Sequence, residues 1–247
     1  MEFDYDQLSH TSLALFVREV NRAIEAQAYD LILGGGDSGN IMVWITQEVY
    51  VELQVNCPDT LVLPTYRHAD YAETVLFDNR LLKELVHLPN GKLKHILLVD
   101  DEVGTGNTIR GILGAVGELT DSKPVITFIA EDDGFDSSRV TGWDVDFRPP
   151  QPKVKDVYNA VSYIVPFDYE APVKRVLEPA VEDLNDKHVM VTLLDLPIKL
   201  WNNGSPIFTY QYRDLCLEEI PGFADIQQRF QDFMREQVRD VLPAPTT

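Results

Sequence analysis

One stretch narrows the possible folds more than any other: HILLVDDEVGTGNTIRG, from His95 to Gly111. Ile96-Leu97-Leu98-Val99 is a short, unbroken apolar run, the pattern of a strand buried on both faces. Strands of that kind belong to parallel sheets covered by helices. The run stops at two adjacent carboxylates, Asp100 and Asp101. Desolvated like charges repel, so such a pair is expected at a strand end that faces a cation or a polyol. Gly104-Thr105-Gly106-Asn107-Thr108 then offers amides and hydroxyls where the next helix should begin.

The surrounding pattern agrees with a parallel sheet. Leu13, Phe16, Val17, Val20 and Ile24 recur at helical spacing, behind the capping candidates Ser9, Thr11 and Ser12. Tyr29-Asp30-Leu31-Ile32-Leu33 predicts a strand ending in Gly34-Gly35-Gly36-Asp37-Ser38-Gly39. Ser38 is a candidate cap for the helix that follows, whose face carries Ile41, Ile45, Val49 and Leu53. Leu61-Val62-Leu63-Pro64 predicts a second strand, followed by a polar loop and a helix over 79–88. A further helix is expected over 108–119 and a further strand over 125–130.

Strand and helix alternating with short connections give an α/β fold with a mainly parallel sheet flanked by helices. Ligands of such sheets bind beyond the carboxyl ends of the strands. Loops 34–39, 65–77 and 100–108 are therefore expected to converge. Past Pro149-Pro150-Gln151-Pro152 the pattern changes. Residues 1–150 read as the core, and 151–247 as a C-terminal α/β extension packed on the core or at an oligomer interface. That extension is expected to hold a strand at 160–165, a helix at 173–184, and a hairpin of 189–201 with 207–212. It ends in an amphipathic helix over 223–241, whose Ile226, Phe230, Phe233, Met234 and Val238 suit a core or dimer contact.

Charge and cysteine content remove several classes of function. A net charge of −19 over 247 residues disfavours a broad nucleic-acid surface and adsorption to anionic membranes. A phosphorylated small molecule stays compatible, since backbone amides and Mg²⁺ can hold it. Cys57 and Cys216 lie far apart, with no paired spacing for zinc or a redox dithiol. MEFDYDQLSH lacks an apolar signal core, and no stretch approaches the roughly 20 apolar residues of a membrane helix. A soluble, reduced, cytoplasmic protein is expected.

Two families place Asp-Asp after an apolar strand. ILLVDDE alone resembles the opening of a response-regulator receiver domain, but there the acidic pair sits on the first strand. Here about ninety residues of α/β pattern precede it, and no Lys-ended strand follows Glu131-Asp132-Asp133 at the expected spacing. HILLVDDEVGTGNT is similar to the phosphoribosyl-pyrophosphate (PRPP) motif of the type I phosphoribosyltransferases: apolar strand, acidic pair, spacer, then Thr-Gly-x-Thr. The resemblance covers residues 28–150. It sets the earlier Gly-rich turn where that family has its pyrophosphate loop, and 65–77 where it has a mobile hood.

The resemblance implies a type I phosphoribosyltransferase-like fold and a set of roles. Asp100 and Asp101 would be the catalytic pair, holding the ribose 2- and 3-hydroxyls. Gly104, Thr105, Gly106, Asn107 and Thr108 would wrap the 5-phosphate. Gly35, Gly36, Asp37, Ser38, Gly39 and Arg67 would attend the pyrophosphate. Mg²⁺ would sit near Asp100 and Asp101, directly or through water. The implied activity is Mg²⁺-dependent transfer of 5-phosphoribose from PRPP to a nitrogen acceptor such as a nucleobase, releasing pyrophosphate. A homodimer is compatible with it. The alternative on the same fold is a non-catalytic regulator that senses PRPP or a nucleotide.

Three positions qualify the resemblance. Thr105 and Thr108 could instead be ordinary caps of a strand-to-helix turn. Glu102 occupies a spacer position that is usually apolar, which directs its side chain to solvent or a partner. Gly104 stands where the 6-oxopurine enzymes carry an Asp, so hypoxanthine, guanine and xanthine are not expected acceptors unless a hood carboxylate such as Glu73 substitutes.

Overall fold

Apolar strands and helices alternate along the chain as the periodicity predicts. In the computed structural model, residues 5–63, 67–68, 71–75, 93–120, 122–150, 194 and 223–242 are described. α1 (Tyr5–Ala26) leads into β1 (Leu31–Gly35), α2 (Gly36–Glu52) and β2 (Asp59–Leu63). A short antiparallel hairpin follows, β3 (Arg67–His68) with β4 (Tyr71–Val75). Then come β5 (His95–Val103), α3 (Asn107–Leu119), β6 (Val125–Asp132), β7 (Val145–Phe147) and, much later, α4 (Phe223–Val241).

Five strands form one parallel sheet in the order β2-β1-β5-β6-β7. From β1 the chain steps outward to β2, and from β5 it steps the other way to β6 and β7. Strand order thus reverses between β1 and β5. Right-handed crossovers in opposite directions put their helices on opposite faces, and α2 and α3 do lie on opposite faces. The α/β class with a parallel sheet flanked by helices is the observed one.

Each face has its own core. Ile32, Leu97, Val99 and Ile129 pack against α1, α2 and α4, with Phe16, Val20, Ile45 and Val49 fully buried. Leu33, Ile96, Leu98 and Phe128 pack against Ile109, Ile112 and Val116 of α3 on the other side. α4 returns to cover α1 and α2, burying Phe230, Met234 and Val238 completely. Each such side chain contributes about 1.5–3 kcal/mol. Arg235 pairs with Glu48 at 3.3 Å and Arg239 with Glu52 at 2.9 Å. Burial pushes the Glu48 carboxyl up and outweighs the pull of Arg235, so these pairs set the register of α4 while apolar burial holds it.

Several local expectations are corrected. α1 begins at Tyr5, so Ser9, Thr11 and Ser12 lie inside the helix rather than capping it. β1 begins at Leu31; Asp30 precedes it and accepts the N–H groups of Lys94 and His95 at 2.7 and 2.9 Å. The polar loop after β2 contains the β3–β4 pair, and β7 adds an edge strand that the sequence reading omitted. The helix expected at 79–88, the strand at 160–165, the helix at 173–184 and the hairpin at 189–212 lie outside the described residues, Leu194 excepted. Leu194 is buried in the α1/α2/α4 core. Among the described residues, no helix is long and apolar enough to cross a membrane.

Candidate functional site

The acidic pair sits on a break in the sheet. The β1–β5 ladder ends at Gly34↔Val99, so Asp100 is the first residue past it. Between β5 and β6 the register runs Val99↔Ile129 and then Glu102↔Glu131. Three steps on β5 face two on β6, which is a β-bulge of one residue over Asp100-Asp101. Its effect shows in the pleat: Ile96 and Leu98 face α3, and strict alternation would turn Val103 to the other side. Val103 packs with the α3 core instead. The bulge has shifted the pleat by one and set two consecutive carboxylates at the carboxyl end of β5, beside the point where strand order reverses.

Both carboxylates are buried there, Asp100 at 6% and Asp101 at 8% exposure. Asp100 accepts the Ser38 hydroxyl at 3.1 Å and the Asp101 backbone N–H at 3.0 Å. These donors favour its ionised form, yet burial first and the neighbouring Asp101 second push its carboxyl well above the ordinary range. A side-chain hydrogen bond between the two acids acts in the same direction.

Turn 34–39 is closed by its own packing. A Cβ on Gly34 would stand 2.5 Å from the Gly39 carbonyl oxygen, and one on Gly39 would stand 2.9 Å from the Gly34 carbonyl carbon. The end of β1 and the first turn of α2 therefore touch backbone to backbone, and Gly36 takes a left-handed φ of 65°. Ser38 does not cap α2. Gly35 holds the N-cap position with no side-chain bond, and the Ser38 hydroxyl is turned to Asp100.

Turn 104–108 is open. Among the described residues, nothing lies within 4 Å of where a Gly104 Cβ would be. Gly106, at φ 81°, is the N-cap of α3 and has no side chain with which to cap it. Neither Thr105 nor Thr108 has the capping role that an ordinary strand-to-helix turn would give it. The amides of the first helical turn have no intrahelical acceptor, and no acidic side chain stands in that turn to take them. Thr105 is exposed, and Asn107 Oδ1 accepts Arg139 Nη1 at 3.4 Å.

Two of the three expected loops thus meet, joined by the Ser38–Asp100 bond. Of the third, β4 lies against α3, while residues 64–66, 69–70 and 76–77 lie outside the described residues, as do the side chains of Asp37, Arg67 and Glu73. Glu102 is exposed. Sequence reasoning passed over three neighbours of the site: Glu131, buried at the end of β6 opposite Glu102, and Phe135 and Arg139 beside turn 104–108. Glu131 carried a signal of the same kind as Asp100, an acid closing an apolar strand. Phe135 and Arg139 carried none.

No model of a known protein family matches the chain, and no curated protein matches it. Among solved structures it is similar to a purine phosphoribosyltransferase from Pyrococcus horikoshii Ot3, at 16% identity over 58% of this chain and 85% of that one, TM-score 0.36. It is similar to the orotate phosphoribosyltransferase of Mycobacterium tuberculosis at 11% identity over 58% and 75% of the two chains, TM-score 0.35. It is also similar to a hypothetical protein from Neisseria gonorrhoeae with bound ppGpp, at 13% identity over 65% and 92%, TM-score 0.36.

Proposed function

We propose that the chain binds PRPP at the carboxyl ends of β1 and β5 and transfers its 5-phosphoribose to a nitrogen acceptor, a nucleobase, releasing pyrophosphate. One observation carries the reading. Two adjacent buried carboxylates sit on a bulge beside the strand-order reversal and are followed by a helix start whose N-cap is a glycine. Crevices at such reversals are where open α/β sheets take their ligands.

Each part has chemistry to contribute. Asp100 and Asp101 accept hydrogen bonds from the ribose 2- and 3-hydroxyls, which replace the proton they otherwise share. The amides of 106–109 and the hydroxyls of Thr105 and Thr108 surround the 5-phosphate. Residues 35–39 and Arg67 attend the pyrophosphate. Attack by the acceptor nitrogen on ribose C1 forms the C–N bond as the C1–O bond to pyrophosphate breaks, through an oxocarbenium-like state. The protein works by positioning and by stabilising the leaving group's charge.

Mg²⁺ fits this donor set. Among the described residues, no cluster of three or more His, Cys, Asp or Glu forms a metal cage. That suits an ion which keeps its waters and binds through one or two carboxylates plus substrate phosphates. Asp100 and Asp101 would hold it, directly or through water, and it would neutralise charge on the departing pyrophosphate.

The test is pyrophosphate release from PRPP and Mg²⁺ with a panel of nucleobases. Release with at least one base is expected, with little or none from hypoxanthine, guanine or xanthine, because Gly104 has no carboxylate for the purine ring. Asp100→Asn with Asp101→Asn should abolish release and weaken PRPP binding in calorimetry while leaving the fold intact. PRPP binding without release for any base would favour the sensor. Unchanged PRPP affinity in the double variant would remove the carboxylates from the site.

A further inference from the structure

Turn 104–108 is braced from one side by the loop that follows β6. Asp133 N–H donates to the Val103 carbonyl at 2.9 Å, tying the loop to the residue just before the turn. Asp132 Oδ1 accepts the N–H groups of Gly134 and Phe135 at 3.0 and 2.9 Å, which fixes where Phe135 leaves the backbone. The ring then lies under the turn: a Cβ on Gly106 would come within 3.0 Å of Phe135 Cε2. Phe147 and Phe128 hold the ring from behind, with centroids 4.8 and 5.9 Å away. Arg139 reaches Asn107 from the same loop.

We infer that Phe135, fixed by Asp132 and by the rings of Phe128 and Phe147, is a positioning residue that holds the left-handed Gly106 turn and so aims the first amides of α3 at the 5-phosphate. The inference rests on the phosphate reading of that turn. Its physical basis is direct. A glycine at φ 81° has no side chain of its own to hold it, and beside the Arg110 N–H that its carbonyl accepts at 2.9 Å it is the neighbouring surface that restrains it. The flat ring supplies that surface and leaves no room for a side chain at 106.

Phe135→Ala and Phe135→Leu, in the full chain, test it with two readouts. One is calorimetry with ribose 5-phosphate and, separately, with Mg²⁺-pyrophosphate; the other is amide hydrogen exchange across 96–99 and 106–110. Phe135→Ala should weaken ribose 5-phosphate binding about tenfold or more, since small misplacements of binding groups carry costs of that order. Pyrophosphate affinity should not change, exchange should accelerate at 106–110 while 96–99 stays protected, and Phe135→Leu should recover part of both effects. Wild-type ribose 5-phosphate affinity with unaltered exchange in Phe135→Ala would overturn the inference. So would equal loss of both ligands with faster exchange throughout β5, the signature of a merely structural role. Should the wild type itself ignore ribose 5-phosphate, the phosphate reading falls on its own. Exchange then judges the brace: local acceleration at 106–110 upholds it, and no change overturns it.

Discussion

The two glycine turns at the sheet's carboxyl edge look alike in sequence and differ in what their glycines are for. In 34–39, Gly34 and Gly39 are required by packing, because each occupies the space where the other's Cβ would go. In 104–108, no described residue stands within 4 Å of where a Gly104 Cβ would be. A glycine that its own fold explains says little about ligands. One with no described neighbour, next to two buried carboxylates, lacks that explanation. Gly36 and Gly106 share a left-handed backbone, so conformation does not separate the turns; their surroundings do.

The largest expected effect is on the closed turn. Gly34→Ala sets a methyl 2.5 Å from the Gly39 carbonyl oxygen, which only backbone movement can relieve. A loss of about 1–3 kcal/mol or more is expected in urea unfolding. Wild-type stability in this variant would erase the contrast between the turns.

Asp100, the link between them, gives a pH test. Its pKa is raised on folding, so the folded state binds that proton more tightly than the unfolded chain does. The stability this gives is complete below the ordinary value of 3.8 and is lost as pH rises from there through the raised value. Asp100→Asn has no such proton to lose. The wild type should therefore lose stability relative to Asp100→Asn as pH rises above the ordinary value of 3.8, read as urea midpoints. Parallel profiles would mean that the acid pair shares no proton.

Smaller effects sharpen the open turn. Thr105→Val removes an exposed hydroxyl at similar volume, so stability should hold while ribose 5-phosphate affinity falls by about 1–3 kcal/mol at fixed ionic strength. Equal affinity in both proteins would strike this hydroxyl from the phosphate ligands. Gly104→Ala should change stability by about 0.5 kcal/mol or less, as at any unencumbered surface position. A substantial loss there would show that the turn is as closed as its counterpart.

How much could be read beforehand follows from the range of each interaction. β1, β5 and β6 were legible because a strand buried on both faces is a continuous apolar run, and α3 because its apolar periodicity begins just after a glycine. The acidic pair was legible for the opposite reason, as two residues out of place at the end of such a run. The bulge beneath it was not, since a bulge is a mismatch between two strands and Val99, Glu102, Ile129 and Glu131 carry no mark of it singly. Ser38 was read as a cap because sequence shows only its neighbours, whereas its partner Asp100 is 62 residues away. The apolar face of α4 was visible, but not that α1 and α2 would cover it.

That last pairing has a consequence for how the chain comes to exist. Among the described residues, the α3 core draws on 31–147, whereas on the opposite side α1 and α2 cover the sheet and are themselves covered by a helix whose contacts with α2 span 187 positions. During synthesis the whole site-bearing edge emerges before α4 does. A growing chain can therefore hold both turns and the acid pair while the sides of α1 and α2 that receive Phe230, Met234 and Val238 still lack their cover. Contacts that distant form late, because loop closure must come first. Until they form, the exposed face invites association with other unfinished chains. A message truncated just before Phe223 would yield a product with every candidate ligand-binding residue and the α4-facing sides of α1 and α2 uncovered, a substrate for chaperones and proteases more than for chemistry.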